Sequence, residues 1–337
     1  MPQNKIPYLD LIRATAIIAV IFIHVSTPSA YQFNQISHFD WWVAIISDSL
    51  SRFAVPSFLM ITGLLLLDPK KEDSLGSFLN KRFAKVIIPL VLWTVIYSTK
   101  TSLETGQPLA SLLRSAVSKP AYYHLWYLYS LIGLYLVIPF IRLATNTAPR
   151  KLIETYLLLW FIGSVIFPLS DKFLHLPVAI NNQYFTGFIG YLVLGFYISK
   201  YKISFRLVYP FSLIGLLVTI FGTYFLTRQN LGHLDEFFFD PVAPNIIIYS
   251  LGIFLFLKNH PQKNWLIKTI SGCSLGIYLI HPLAIELLSS GILGFNFYPS
   301  TMGAPIGIPI FSALILIISL SATLILKKIP LLKYLSP

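Results

Sequence analysis

Six ionisable side chains stand inside long apolar runs of this sequence: Arg13, His24, Asp48, Arg52, His281 and Glu286. A charge within a bilayer is costly, so each is a candidate for function. Histidine changes protonation near neutral pH, can take or give a proton in a transition state, and can itself attack a carbonyl and carry an acyl group. Arg13 and His24 are separated by ten residues. Eleven helical steps make almost three turns, which places both on one face about 16 Å apart. Taken singly, Arg13 snorkels to a headgroup and His24 is a packing residue; together they make a polar face through an apolar helix. Asp48 and Arg52, four apart, are neighbours on a helix. Either they neutralise one another, or Asp48 orients a histidine while Arg52 faces a polyanionic ligand.

Further polar residues gather elsewhere. Ser274, Tyr278 and His281 follow an i, i+4, i+7 spacing and form one stripe on a helix, which serves as interhelical glue or as a cavity wall. Pro282 perturbs that helix. Glu286 lies about 140° around it from His281, so the two make no direct pair. The run His124-Leu125-Trp126-Tyr127-Leu128 suits a membrane interface or a sugar-binding lip. Lys81, Arg82 and Lys85 precede Pro89 and either anchor the chain at the inner surface or form a phosphate-binding cluster. In Phe58-Leu59-Met60-Ile61-Thr62-Gly63 a small residue sits where helices approach closely.

The elements that must hold these groups are membrane helices. Of 337 residues, 55% are hydrophobic and 11% charged, and mean hydropathy is +0.72. A soluble domain carries about 25% charged residues, so a conventional soluble enzyme, a coiled coil and a disordered chain are excluded. Ten apolar runs emerge, over 8–27, 41–67, 84–99, 124–141, 153–169, 183–199, 208–226, 242–257, 269–289 and 305–326. The expected fold is therefore all-α, one polytopic membrane bundle of ten transmembrane helices in a single domain, 1–337. The first run is read as a retained span and not a cleaved signal, because Arg13 and His24 interrupt it and nine more runs follow.

The net charge of +12 fits basic cytoplasmic loops better than nucleic-acid binding. With the N-terminus inside, 18 of the 25 Lys and Arg fall in inner segments and five (Lys100, Arg114, Lys119, Lys172, Arg228) in outer ones. That asymmetry places both termini in the cytoplasm. The single Cys273 excludes a disulfide framework and a cysteine metal cluster; it is expected inside a span as a small apolar residue.

The combination resembles the acyltransferase-3 family of integral membrane acyltransferases. The carrying residues are Tyr8-Leu9-Asp10-Leu11-Ile12-Arg13 with His24 beyond, Phe58 to Gly63, the basic Lys81-Arg82, His124 to Leu128, and Ser274-Leu275-Gly276-Ile277-Tyr278-Leu279-Ile280-His281-Pro282. The resemblance implies that Arg13 and His24 form the family's arginine–histidine motif, that His24 is critical for acyl transfer, and that Arg82 belongs to the cytoplasmic donor side. Thr62 stands where many relatives have serine. The likeness is to stand-alone members, bacterial cell-membrane enzymes that O-acetylate surface-polysaccharide sugars or their lipid-linked precursors.

On that basis acetyl-CoA is the expected donor, held by Arg52, Lys81, Arg82 and Lys85, and a glycan hydroxyl is the acceptor, met by His124, Trp126, Tyr127, Tyr278, His281 and Glu286. Catalysis falls to His24, as general base or transient acyl carrier, with Arg13 and Asp48. No metal and no nucleic acid are expected. A transporter or flippase for a lipid-linked sugar is the competing class, since intramembrane charges and proline-interrupted helices fit it too; a glycan polymerase is a third.

Overall fold

The computed structural model describes residues 7–68, 74–176, 186–291 and 298–336. Lys5, Lys70 and Lys71 of the inner basic set, and residues 183–185 of the sixth apolar run, lie outside them. Among the described residues the protein is helical throughout, with no strand. The helices are α1 (Pro7–Ala30), α2 (His38–Ser51), α3 (Ala54–Leu66), α4 (Leu75–Thr105), α5 (Leu109–Ser115), α6 (Trp126–Thr147), α7 (Arg150–Leu169), α8 (Ile189–Lys200), α9 (Phe205–Gln229), α10 (Pro244–Asn259), α11 (Trp265–Ser289) and α12 (Ala304–Lys328).

Nine segments among the described residues are long and apolar enough to cross a membrane, with α2 and α3 together counted as one. This is a polytopic membrane bundle. Helix α1 is its hub, packing against α2, α3, α10, α11 and α12, while α4 packs on α6 and α9 on α10. The side chains of α1 from Leu9 to Val25 enter one continuous apolar core. Asp40 on α2 accepts the Ala304 N–H at 2.7 Å, satisfying a backbone donor that the start of α12 leaves free.

Three elements differ from the sequence expectation. The short third run is the apolar middle of α4, at 31 residues the longest helix. Hydropathy sees only that middle, but the backbone stays helical through Lys81, Arg82 and Lys85. Ser74 caps the start by accepting the Ser77 N–H at 3.3 Å, and Gly106, at φ +72°, closes the end in the left-handed form that glycine adopts without strain. The long second run is broken at Arg52–Phe53. Pro56 has no N–H for the Arg52 carbonyl, and its ring crowds that oxygen, so the α2 ladder cannot run on unbroken into α3. The sixth run corresponds to α8, twelve residues long. It rises about 18 Å, well short of a hydrocarbon core of about 30 Å.

Helix α8 is held in the interior against α3 by two glycines. A Cβ on Gly63 would stand 1.9 Å from the Leu192 carbonyl oxygen, and one on Gly195 would stand 2.0 Å from that of Met60. The two backbones are in direct contact, as the small residue at position 63 led us to expect.

Candidate active site

A cavity of about 350 Å3 opens between α1, α3, α4, α6 and α11, within the size range of small-molecule sites. Its charged wall is Arg13, Arg82 and Lys85, its hydroxyls are Thr62, Tyr127, Tyr135, Ser274 and Tyr278, and the rest is apolar, with Val20, Phe58, Ile61, Leu65 and Leu131 among the lining. Among the described residues no acidic side chain lines it. Arg82 has a buried Nε with no hydrogen-bond partner, and its guanidinium lies 5.9 Å from the Phe78 ring. Arg142 also lies over that ring, at 5.0 Å, and donates from Nε to the Leu66 carbonyl at 2.7 Å, closing the end of α3. Arg13 is 3.7 Å from Asp10, whose carboxylate also accepts from Ser271 at 2.8 Å. The cavity is thus a cationic pocket with a greasy floor, suited to an anion that carries an extended apolar or amide arm.

Along α1 the cavity runs from Arg13 to Val20, about 10 Å, and stops one turn short of His24. Beyond it lies a cluster of imidazoles and phenols. The His24 ring is 5.0 Å from that of His281, nearly parallel to it, and 4.9 Å from that of Tyr123. His124 stands edge-on to His281 at 5.4 Å and 5.2 Å from Tyr278. Tyr278 joins the two compartments: it lines the cavity, and its hydroxyl donates to the His124 carbonyl. Tyr97 braces the cluster by donating to the Leu279 carbonyl at 2.8 Å while stacking on Tyr122 at 4.3 Å. On the far side of the cluster Glu286 accepts from the Tyr122 hydroxyl and from Lys100 at 2.9 Å.

The structure therefore brings Arg13, Arg82, Lys85, Tyr127 and Tyr278 to one cavity, and His24, His124 and His281 to one cluster above it. The stripe of Ser274, Tyr278 and His281 is a cavity wall that leads from one to the other. Among the described residues Glu286 pairs with Tyr122 and Lys100 and not with His281. Lys81, one turn before Lys85, does not line the cavity. Trp126 turns away and stacks on Phe188 at 5.9 Å, so it belongs to neither compartment.

The assignment of Asp48 needs correction. Its two oxygens are engaged by Arg52 Nε at 2.5 Å and by the Thr27 hydroxyl at 3.0 Å, not by a histidine. Arg52 also departs from its expected place beside the donor: its guanidinium lies 4.0 Å over the Phe239 ring and does not line the cavity. The pair is a structural tie, with Asp48 wholly buried. Removing one partner of a buried pair leaves an uncompensated charge and costs about 3–5 kcal/mol. Asp48→Ala is thus expected to lower the thermal unfolding temperature in detergent sharply, whereas Asp48→Leu combined with Arg52→Met should recover most of the loss.

Tyr123 and Tyr135 were not singled out in the sequence. The i, i+4, i+8 series Tyr127, Leu131, Tyr135 pointed to the second of them, since all three line the cavity. Tyr123 carried no such signal, because it lies in the single 3-10 turn Tyr123–Leu125 before α6. Cys273 is buried, as expected. Among the described residues no group of three or more His, Cys, Asp or Glu is arranged to hold a metal ion.

A family model for an acyltransferase domain, Acyl_transf_3, matches residues 6–325, nearly the whole chain. The chain belongs to the acyltransferase-3 family. Searches of curated proteins and of solved structures returned no match. Family membership and the apolar helices make this acyltransferase-3 protein an integral membrane acyltransferase that passes an acyl group to a hydroxyl acceptor, and the transporter class gives way to it.

Proposed function

We propose that this protein transfers an acetyl group from cytoplasmic acetyl-CoA to a hydroxyl of an extracytoplasmic or lipid-linked glycan, as a bacterial cell-membrane O-acetyltransferase with both termini inside. The observation that carries the reading is the meeting of two compartments at His24. A cavity bearing Arg13, Arg82 and Lys85 ends one turn below it, and the exposed Tyr123 with the Tyr122–Glu286 pair lies on the other side. The cations suit the phosphates of CoA, and the narrow apolar interior suits its pantetheine arm. Tyr122, Tyr123 and Glu286 on that other side suit a sugar, aromatic faces and a carboxylate being common partners of its C–H and O–H groups.

His24 acts on the acyl group in one of two ways. As a neutral base it removes the acceptor proton while the hydroxyl attacks the thioester. As a nucleophile it takes the acetyl group from sulfur and hands it to the alcohol. Donor alone, quenched rapidly and read by mass spectrometry, separates them: an acetyl adduct on His24 marks the second route. A hydrogen-bond donor aimed at the thioester oxygen would stabilise the charge that develops there; the hydroxyl of Tyr127, a residue of the cavity lining, suits that role, whereas that of Tyr278 is already given to the His124 carbonyl.

The test is purified protein in detergent or liposomes with labelled acetyl-CoA and a panel of glycans, read as acetyl incorporation by mass spectrometry. Movement of a lipid-linked sugar without incorporation would reject the reading. The donor site makes its own prediction. Charged hydrogen bonds contribute about 1.5–3 kcal/mol each, so Arg82→Gln should raise KM for acetyl-CoA about 10–100-fold with a smaller change in kcat. An unchanged KM would remove Arg82 from the donor site.

A further inference from the structure

Helix α11 sets the tautomer of His281 by its own sequence. Pro282 has no N–H, so the carbonyl four residues earlier, that of Tyr278, loses its helical donor. His281 Nδ1 lies 2.7 Å from that same oxygen. A carbonyl oxygen only accepts, so Nδ1 carries the proton, and in the neutral ring Nε2 presents a bare lone pair. That nitrogen is fully buried and has no hydrogen-bond partner. The ring nitrogens of His124, whose ring centre is 5.4 Å away, are also buried, with only the Leu279 carbonyl within reach and no well-formed hydrogen bond. Orphaned polar atoms inside a well-packed protein mark a place where a further polar group belongs. They adjoin the ring of His24, on the side of the bundle that carries Tyr122 and Tyr123.

We infer that Nε2 of His281 accepts the proton of the acceptor hydroxyl, so that the glycan alcohol seats among His281, His124 and His24. The inference rests on the reading of the protein as an O-acyltransferase and assigns the acceptor side of that site. As the alcohol oxygen attacks the acyl carbon, the new C–O bond forms and the O–H proton passes to Nε2. The bond from the acyl carbon to the His24 nitrogen that carries it breaks, and its electron pair stays on that nitrogen, the CoA thiolate having left when His24 took the acyl group. The proton on His281 then neutralises the CoA thiolate, directly or through water, and the imidazole returns to its starting tautomer. The general-base role thus passes from His24 to His281, and His24 serves as the acyl carrier. Pro282 is a positioning residue here, since it frees the carbonyl that holds Nδ1.

The test uses full-length protein and His281→Asn, whose amide keeps a donor for the Tyr278 carbonyl and lacks the second nitrogen. Two acceptors are compared: methyl hexosides, which need a base, and hydroxylamine, which attacks acyl groups without one. His281→Asn should lose about 10²–10⁴-fold in kcat for the hexosides, while hydroxamate formation stays within about tenfold of wild type and KM for acetyl-CoA is unchanged. Equal losses with both acceptors would mean a structural role and overturn the inference, as would hexoside transfer at wild-type rate. Wild-type protein that transfers no acetyl group to either acceptor would instead refute the acyltransferase assignment itself.

Discussion

Replacing His24 with alanine is expected to reduce acetyl transfer by about 10²–10⁴-fold while the protein still inserts and unfolds close to the wild-type temperature. The size of the loss follows from position. The donor cavity stops one helical turn short of His24, and the imidazole and phenol cluster begins with it, so whichever route the acyl group takes passes this ring. The mildness of the structural effect follows from its contacts. His24 is partly buried and stacks on neighbours, yet no hydrogen bond of the described residues depends on it. Asp48 contrasts with it, for there the loss should fall on stability and not on the chemical step. Acetyl incorporation and thermal unfolding, measured on the same purified variants, separate the two. A well-folded His24→Ala protein that works at the wild-type rate would remove His24 from the mechanism.

Much of this site was legible because helical spacing is rigid. The eleven steps from Arg13 to His24 fix a face whatever packs on it, and the stripe Ser274, Tyr278, His281 emerges as the wall between cavity and cluster. What spacing cannot give is the neighbour across the interface. Asp48 offered a carboxylate to any histidine within reach, but the break at Arg52–Phe53 and the hydroxyl of Thr27 decide its partners. Trp126 and Tyr127 are adjacent in sequence, yet only Tyr127 lines the cavity, a consequence of the 100° step between successive helical residues. The cations of α4 were legible as a cluster, but Lys81 and Arg82 fell outside the apolar run 84–99, because a hydropathy window ends where charge begins while the backbone ladder runs on from Leu75. Tyr122 and Tyr123 were hidden for a plainer reason: residues just before a helix have no period to read.

The second large effect is expected at Gly63, which has no side chain to do chemistry. A methyl group there would lie 1.9 Å from the Leu192 carbonyl oxygen and 2.5 Å from its carbonyl carbon, both atoms of a helix backbone that cannot rotate away. Overpacking a core costs about 1–3 kcal/mol when side chains give way; here α3 and α8 must separate as bodies, so Gly63→Ala should reach about 3 kcal/mol or more and Gly63→Val should fail to fold. Gly133, with open space where its Cβ would stand, is the matched control: Gly133→Ala should be neutral or stabilise by up to about 1 kcal/mol, the difference in helix propensity. Unfolding temperature in one detergent reads both. The same displacement has a functional arm, because Phe58, Ile61 and Thr62 line the cavity on the helix that would move. Any Gly63→Ala protein that survives should therefore show a raised KM for the donor with His24, Arg82 and Lys85 all intact. Equal stability of the two alanine variants would contradict the direct backbone contact of α3 with α8, and with it the account of why a twelve-residue helix is held inside the bundle.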